Sequence, residues 1–251
     1  MHEAFAATLD YLVSRDLLKR LPEGWQHVLA EVVIPLRHYE SGAQMISTYG
    51  CRFAYGTTVE QCLSYASFDR VGNAQMLSRV GIALDDGSDS LLVDAKATWT
   101  GAASMQPLRR LTEELLVEQD WAVSTIGVDL VDQLLYGLLY RHLDEAALLG
   151  GAGGYSLIAQ HLSTWFTDHR RWLDALYKAW VADPVHGSAN AAFLAATIDR
   201  LLPQAVTAVR SLAEAADAQV DTGCAAFVDA AATDLRLTFA ALQPATAPEE
   251  A

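Results

Sequence analysis

Two polar residues interrupt an apolar helical stripe, at the spacing that a helix uses to present two ligands to one metal ion. The stripe consists of Val59, Leu63, Ala66, Arg70, Asn73, Leu77, Val80 and Leu84. Its steps of three and four residues place all of these side chains on one face of a helix. In helical bundles, a Glu and a His three residues apart on such a face bind a shared metal. Arg70 and Asn73 keep this spacing without the ligand chemistry, so the stripe predicts a polar core position that holds no metal.

A second stripe with polar interruptions lies on a helix that we predict from Tyr155 to about Ala182. It consists of Ile158, Leu162, Trp165, His169, Trp172, Leu176 and Ala179. Of the seven histidines, only His169 falls on a predicted core face. A lone His does not hold a metal without further ligands. We therefore interpret His169 as a core residue that donates to Asp168 or Glu145, and the two tryptophans as packing side chains.

A buried guanidinium needs a carboxylate, because an unpaired charge in a core is very costly. Asp69 cannot reach Arg70 from the same helix, so the candidate partners lie on a neighbouring helix. They are Glu118, Asp129 and Asp132. Glu40 follows Arg37 by three residues and is expected to pair with it locally.

No catalytic or cofactor-binding motif is present. The sequence has no Gly-x-Ser-x-Gly, no His-Glu-x-x-His and no Glu-x-x-His. The glycine cluster at 150–154 follows no predicted strand and precedes no Lys, so it indicates a turn between helices rather than a phosphate loop. The residues alone therefore predict no catalytic, cofactor-binding or metal site.

Composition and charge restrict the class of protein. The 251 residues are 52% hydrophobic and 19% charged, which is typical of a packed globular chain. A net charge of −14 argues against nucleic acid or an anionic membrane as partner. No secretion signal opens the chain, the odd count of three cysteines fits reduced thiols, and no uncharged run resembles a membrane span. We expect a cytoplasmic protein.

Strand signals are nearly absent, so the predicted fold is all-α. We expect one long helix from Ser41 to Leu84, another from Asp120 to about Leu149, and a helix from Ala189 to about Val220 that is kinked at Pro203. A last helix is predicted from Asp221 to Leu242. Residues 1–242 are expected to form a single helical domain, and residues 243–251 a flexible tail.

Several segments resemble one subunit of a known enzyme family. They are residues 15–22 (RDLLKRLP), 35–43 (PLRHYESGA), 68–81 (FDRVGNAQMLSRVG), 94–96 with Trp99, 106–110 (QPLRR), 120–121 and 171–175 (RWLDA). Together they resemble the β subunit of the hydroxylase component of bacterial multicomponent phenol hydroxylases, which are soluble di-iron monooxygenases. The resemblance covers about residues 12–215, and the segment at 68–81 is the most specific.

The resemblance implies that this chain is the non-catalytic relative of the iron-binding subunit. In that family the α and β subunits share a fold, and only α binds the two irons, through two Glu-x-x-His pairs and two further glutamates. By motif, these ligand positions fall here on Glu40, Arg70, Asn73, His169 and Trp172, and close to Val123. One carboxylate in six positions cannot bind two irons. The expected fold is thus a ferritin-like helical bundle with extra helices and vestigial ligand positions.

The resemblance also implies partners and cofactors. We expect a structural β subunit that supports a di-iron α subunit and a small γ subunit, as an (αβγ)2 assembly that hydroxylates aromatic rings with O2. A separate NAD(P)H-dependent reductase would supply electrons through FAD and a 2Fe-2S cluster, and a regulatory protein would complete the system. Family β subunits carry a long N-terminal arm, whereas this sequence starts at the first bundle helix. It is therefore expected to hold its partner less extensively or to belong to a shortened branch.

Two other functions stay open from the sequence. One is a free-standing helical binding or regulatory protein derived from the β fold. The other is an autonomous enzyme with an unorthodox metal site around Glu40 and His169. The sequence does not fix the substrate, which in this family can be phenol, toluene, an alkene or another compound.

Overall fold

Eleven α-helices make up the fold in a computed structural model that describes residues 2–242. They are α1 (His2–Ser14), α2 (Glu23–His27), α3 (Arg37–Phe53), α4 (Thr57–Leu84), α5 (Ser90–Gly101), α6 (Gln106–Leu116), α7 (Trp121–Gly137), α8 (Leu143–Leu149), α9 (Gly153–Val181), α10 (Gly187–Val220) and α11 (Cys224–Ala240). The described residues contain no strand, and the predicted all-α fold is confirmed. The predicted flexible tail at 243–251 lies outside the described residues.

The predicted single helix from Ser41 to Leu84 is wrong. The chain leaves α3 at Ala54, which is extended with a ψ of 146°, and turns through Gly56, which has a φ of 109°. That positive φ is readily adopted only by glycine. The two helices then pack against each other in opposite directions, as the contacts between Glu40 and Arg70 and between Thr48 and Ser67 show. This reversal brings Glu40 beside the polar residues of α4.

The helix predicted from Asp120 to Leu149 forms the centre of the bundle. The Asp120 side chain accepts a 2.8 Å bond from the Ala122 amide and so caps α7. One π-helical turn, Leu138–His142, joins α7 to α8 without interrupting the helix. Between residues 122 and 140 nearly every side chain is buried, including Asp129 and Asp132. Since α7 is enclosed on all sides, its acidic residues must find partners within the core.

Two helices are long and apolar enough to cross a membrane by length and composition, Trp121–Leu149 and Gly187–Val220. The most apolar window of the first is 94% buried inside the bundle, and that of the second is 44% buried. Packing in the protein core therefore accounts for the apolar character of Trp121–Leu149.

The remaining predicted helices agree with the structure apart from details of phase and ends. On α9, Ala179 is exposed, and Leu173 and Tyr177 are buried in its place, because the buried face drifts around the helix over its 29 residues. Pro203 lies inside α10, which continues unbroken to Val220. One apolar cluster extends from Phe5 to Phe239 and joins the bundle helices into one core.

Candidate functional site

Arg70 lies at the centre of the bundle, and its side chain is only 1% exposed. Its Nη1 donates to Glu40 Oε2 of α3 at 3.0 Å, and its Nη2 donates to Asp132 Oδ2 of α7. The guanidinium thus bridges two buried carboxylates from two helices that flank α4. Of the three partners proposed from the sequence, Asp132 is confirmed, whereas Glu118 lies near the surface beside Arg200 and Asp129 pairs with another arginine.

The pairing of Glu40 with Arg37 is wrong. The Arg37 side chain donates instead to the carbonyl of Leu92 at 3.2 Å. Glu40 is directed inward, where it accepts from Arg70, from Asn73 Nδ2 at 3.4 Å, and from the Tyr136 hydroxyl at 2.5 Å. Glu40 pairs with Arg70, 30 residues away in sequence, rather than with Arg37, because the turn at Gly56 folds α3 onto α4.

Asn73 and two tyrosines complete a buried polar cluster around the guanidinium. Asn73 Nδ2 lies 3.2 Å from the Tyr136 hydroxyl, and the Tyr39 hydroxyl donates to Asp132 Oδ1 at 2.7 Å. Both carboxylates therefore receive one bond from Arg70 and one from a phenol. We call Tyr39, Glu40, Arg70, Asn73, Asp132 and Tyr136 the arginine cluster. Such a network is tolerated in a core when most of its polar atoms are paired. Here Arg70 Nε and Asn73 Oδ1 are the buried atoms of the cluster without a hydrogen-bond partner among the described residues.

The electrostatics of the arginine cluster keep Arg70 charged. Burial disfavours the charge, but the carboxylates of Asp132 and Glu40 outweigh burial and raise the pKa of Arg70 well above its ordinary value. Burial raises the pKa of Asp132, and Arg70 offsets only part of that rise. Burial also raises the pKa of Tyr39 and Tyr136 well above the usual value, so both phenols stay protonated and donate.

A second arginine, half-buried, lies next to this cluster. Arg170 of α9 donates to Asp129 of α7 and to Asp174. Asp129 also accepts from the Tyr177 hydroxyl at 3.0 Å. Burial raises the pKa of Asp129, and the Arg170 guanidinium opposes that rise. The two acidic residues of α7 are thus each bound by a different arginine. The sequence predicted an acidic partner for Arg70 but not for Arg170.

His169 and Trp172 lie beside the arginine cluster without a hydrogen bond to it. Trp172 Nε1 donates to His169 Nδ1 at 3.4 Å, and the His169 ring stacks on Trp165 with centroids 4.8 Å apart. Trp165 also contacts the Arg70 guanidinium, 4.9 Å from its ring centroid. Burial, with Arg70 and Arg170, lowers the pKa of His169 well below its usual value, so the ring is neutral.

Two expectations for this region are therefore wrong. His169 donates neither to Asp168, which pairs with Arg171, nor to Glu145. Val123 is buried on α7 but lies nine residues before Asp132, about 13 Å along the helix axis. The α7 residues that face the cluster are Asp132 and Tyr136, so Val123 is not part of it.

The arrangement has no space for a substrate. Arg70, Asp129, Asp132, His169 and Trp172 line a cavity of about 20 Å³, roughly the size needed for one water molecule. Within residues 2–242, no group of three or more His, Cys, Asp or Glu side chains has a geometry that could hold a metal ion. The geometry joins α3, α4, α7 and α9 through charge pairs and aromatic contacts.

Comparisons with known proteins show which fold this bundle has and which family the chain belongs to. The fold matches the crystal structure of phenol hydroxylase from Pseudomonas sp. OX1 with a TM-score of 0.85 and 31% identity, over 95% of this chain and 71% of that chain. A model of the methane/phenol/alkene hydroxylase family matches residues 1–184. The chain belongs to this family.

Two curated relatives show which members are similar. The oxygenase component DmpL of phenol 2-monooxygenase from Pseudomonas sp. strain CF600 is 34% identical over 217 residues, which is 86% of this chain and 65% of that protein. The hydroxylase component small subunit of propane 2-monooxygenase from Mycolicibacterium goodii is 29% identical over 55% of this chain and 39% of that protein. The chain thus spans less than two thirds of the length of either relative.

Proposed function

We propose that this chain is the non-catalytic β subunit of the hydroxylase of a soluble di-iron aromatic monooxygenase. The observation that carries the proposal is the Arg70 guanidinium, which fills the space between Glu40 and Asp132 at the centre of the bundle. A cation that is part of the chain stands between the carboxylates that a metal would need. Family membership and the similarity to small hydroxylase subunits support the same role.

The residues at the implied ligand positions do not fit a di-iron centre. Such a centre in a helical bundle takes carboxylates and two Glu-x-x-His pairs. Arg70 and Asn73 stand where the first pair would be, and His169 is bonded to Trp172 where the second would be. Arg170 holds Asp129, the other buried carboxylate of α7, in an ion pair. The positions are therefore best read as ligand sites converted to structural use.

On this proposal, oxygen chemistry takes place in a different chain. A di-iron α subunit would hold the substrate pocket, and a γ subunit would complete an (αβγ)2 hydroxylase in the cytoplasm. Electrons would come from NAD(P)H through the FAD and 2Fe-2S cluster of a reductase, with a regulatory protein as the last component. Residues 1–242 would act as a single domain, which the continuous core from Phe5 to Phe239 supports.

Association provides the test of this function. Stable subunit interfaces bury on the order of 2,000 Å² or more, so a β subunit alone exposes a large apolar area. We expect the isolated chain to self-associate or aggregate at micromolar concentration. Co-expression with a di-iron large subunit of the same family should give a monodisperse complex that hydroxylates an aromatic substrate, as measured by light scattering and product analysis.

The alternative of a free-standing regulatory protein gives the opposite result. In that case the isolated chain stays monomeric and monodisperse at high concentration, and it does not co-purify with the large subunit. A large subunit that is fully active and stable without this chain would also contradict the proposal.

A further inference from the structure

The fully exposed positions on α3 and α4 include no acidic side chain, since Glu60 and Asp69 of α4 are half-buried and Glu40 of α3 is buried. After the first turn of α4, its exposed positions recur every three or four residues and are Gln61, Tyr65, Phe68, Val71, Gln75, Arg79 and Ile82. Those on α3 are Ser41, Met45, Thr48, Arg52 and Phe53. We call these positions the α3–α4 face. The chain has 31 Asp and Glu residues, and none of them is in this set.

Large apolar side chains occupy the middle of the α3–α4 face. Tyr65 is 69% exposed, Phe68 70%, Met45 50% and Val71 43%. Single exposed apolar residues are normal on a protein surface, but a cluster on two adjacent helices marks an interaction site. The outward side of α9 provides the contrast, since its exposed residues include Asp168, Arg171, Asp174 and Lys178. That helix has the charged side expected of a helix in water.

A groove between the two helices gives the face its shape. It has a volume of about 490 Å³ and is lined from α3 by Ser41 and Gln44 and from α4 by Val71, Ala74 and Ser78, among others. Hydrogen bonds hold the helices at this spacing, because Gln44 Nε2 donates to Ser67 at 3.0 Å and Thr48 lies 2.8 Å from the same hydroxyl. The groove is therefore preformed and open to a side chain from another molecule.

The charges of the face indicate what kind of partner fits. Arg52 and Arg79 flank the apolar residues, and no ion pair in the described part of the chain involves either of them. Their guanidinium groups lie over the rings of Phe53 and Phe5 instead. A second copy placed symmetrically on this face would present the same patch, which has no carboxylate to offer. The face thus favours a different chain that carries acidic residues.

We propose that the α3–α4 face binds the large subunit of the hydroxylase, through a helical surface that is apolar in the middle and acidic opposite Arg52 and Arg79. This inference rests on the proposed function, which supplies the large subunit as partner. The same two helices would then carry the arginine cluster on their inner sides and the subunit interface on their outer sides.

Binding of charge-substituted variants to the large subunit tests this surface. The variant Phe68→Asp/Val71→Asp places two carboxylates in the middle of the face. Its matched control, Val185→Asp/Leu237→Asp, places two on exposed apolar positions elsewhere, which are 79% and 66% exposed. We expect the first variant to bind the purified large subunit at least about 100-fold more weakly, and the control to bind within about threefold of the wild type.

A third variant tests the charge argument. Arg52→Glu/Arg79→Glu should weaken binding by about tenfold, mainly through slower association and a loss of salt dependence. Circular dichroism and thermal unfolding of each complex-free variant confirm that the fold is intact, since all the substituted side chains are on the surface.

The results separate this inference from the proposed function. If the wild type binds the large subunit and the Phe68/Val71 variant binds equally well, or if only the control loses binding, the α3–α4 face is not the interface although the function stands. A discrete wild-type homodimer that the Phe68/Val71 variant abolishes would identify a second copy as the occupant and overturn the inference. Failure of the wild type to bind at all would overturn the proposed function itself.

Discussion

Replacement of Arg70 by methionine lowers the free energy of unfolding by about 3–5 kcal/mol. The variant leaves Glu40 and Asp132 facing each other in the core without the guanidinium that both accept from. Two unpaired buried carboxylates repel each other and keep their desolvation cost, and a methionine side chain replaces volume but not charge. Chemical unfolding of the isolated chain at pH 7, at a concentration low enough to prevent association, measures the change.

Two further variants control for charge and for position. The triple variant Glu40→Gln/Arg70→Met/Asp132→Asn removes all three charges and should recover most of the loss, because neutral amides are less costly to bury. Arg110→Met removes an exposed arginine that pairs with Glu114 and should change stability by less than about 1 kcal/mol. If Arg70→Met costs no more than Arg110→Met, the arginine cluster does not stabilise the bundle.

The double variant Arg70→Glu/Asn73→His restores one Glu-x-x-His pair, and we expect it to be strongly destabilised and unable to bind two irons. It places three carboxylates in the core without the guanidinium, while the second ligand pair remains His169 and Trp172. The pKa of Asp132 decides how the stability of this variant depends on pH. Burial already raises the pKa of Asp132 in the wild type, and the loss of the Arg70 guanidinium, which opposes that rise, raises it further.

The stability of that variant is therefore largest at acidic pH and is lost as the pH rises through the raised pKa of Asp132. Unfolding measured at pH 5 and pH 8 should show the variant more stable at pH 5, and iron analysis should show fewer than two irons per chain. If the variant binds two irons and is more stable at pH 8, these two substitutions are enough to restore a di-iron centre, and the account of the arginine cluster is wrong.

Much of the arginine cluster follows from the sequence because the phase of an amphipathic helix is visible in its residues. The stripe on α4 predicts that Arg70 and Asn73 face the core. Because a buried unpaired charge is costly, Arg70 is then expected to have an acidic partner. Glu40 was missed as that partner because a local pair with Arg37 was preferred. The turn at Gly56 could have been found from Gly56 followed by Thr57 and Thr58, a helix-start signal.

The register of α7 could not be predicted in the same way. Nearly every side chain between residues 122 and 140 is buried, so the helix has no polar side from which to read its orientation. The resemblance to the iron-binding subunit then led to Val123, whereas Asp132 and Tyr136 face the cluster. Arg170 was missed for a related reason, because it lies beside the predicted stripe of α9 and reads as a surface charge until Asp129 is known to face it.

The location of iron in the assembled hydroxylase tests the central claim most directly. The complex of this chain with the large subunit should contain two irons per pair, and all of this iron should remain with the large subunit when the chains are separated. The chain alone, reconstituted with ferrous iron under anaerobic conditions and desalted, should retain less than about 0.1 iron per chain, because Arg70 stands between Glu40 and Asp132. Two irons bound stoichiometrically to the isolated chain would contradict the account.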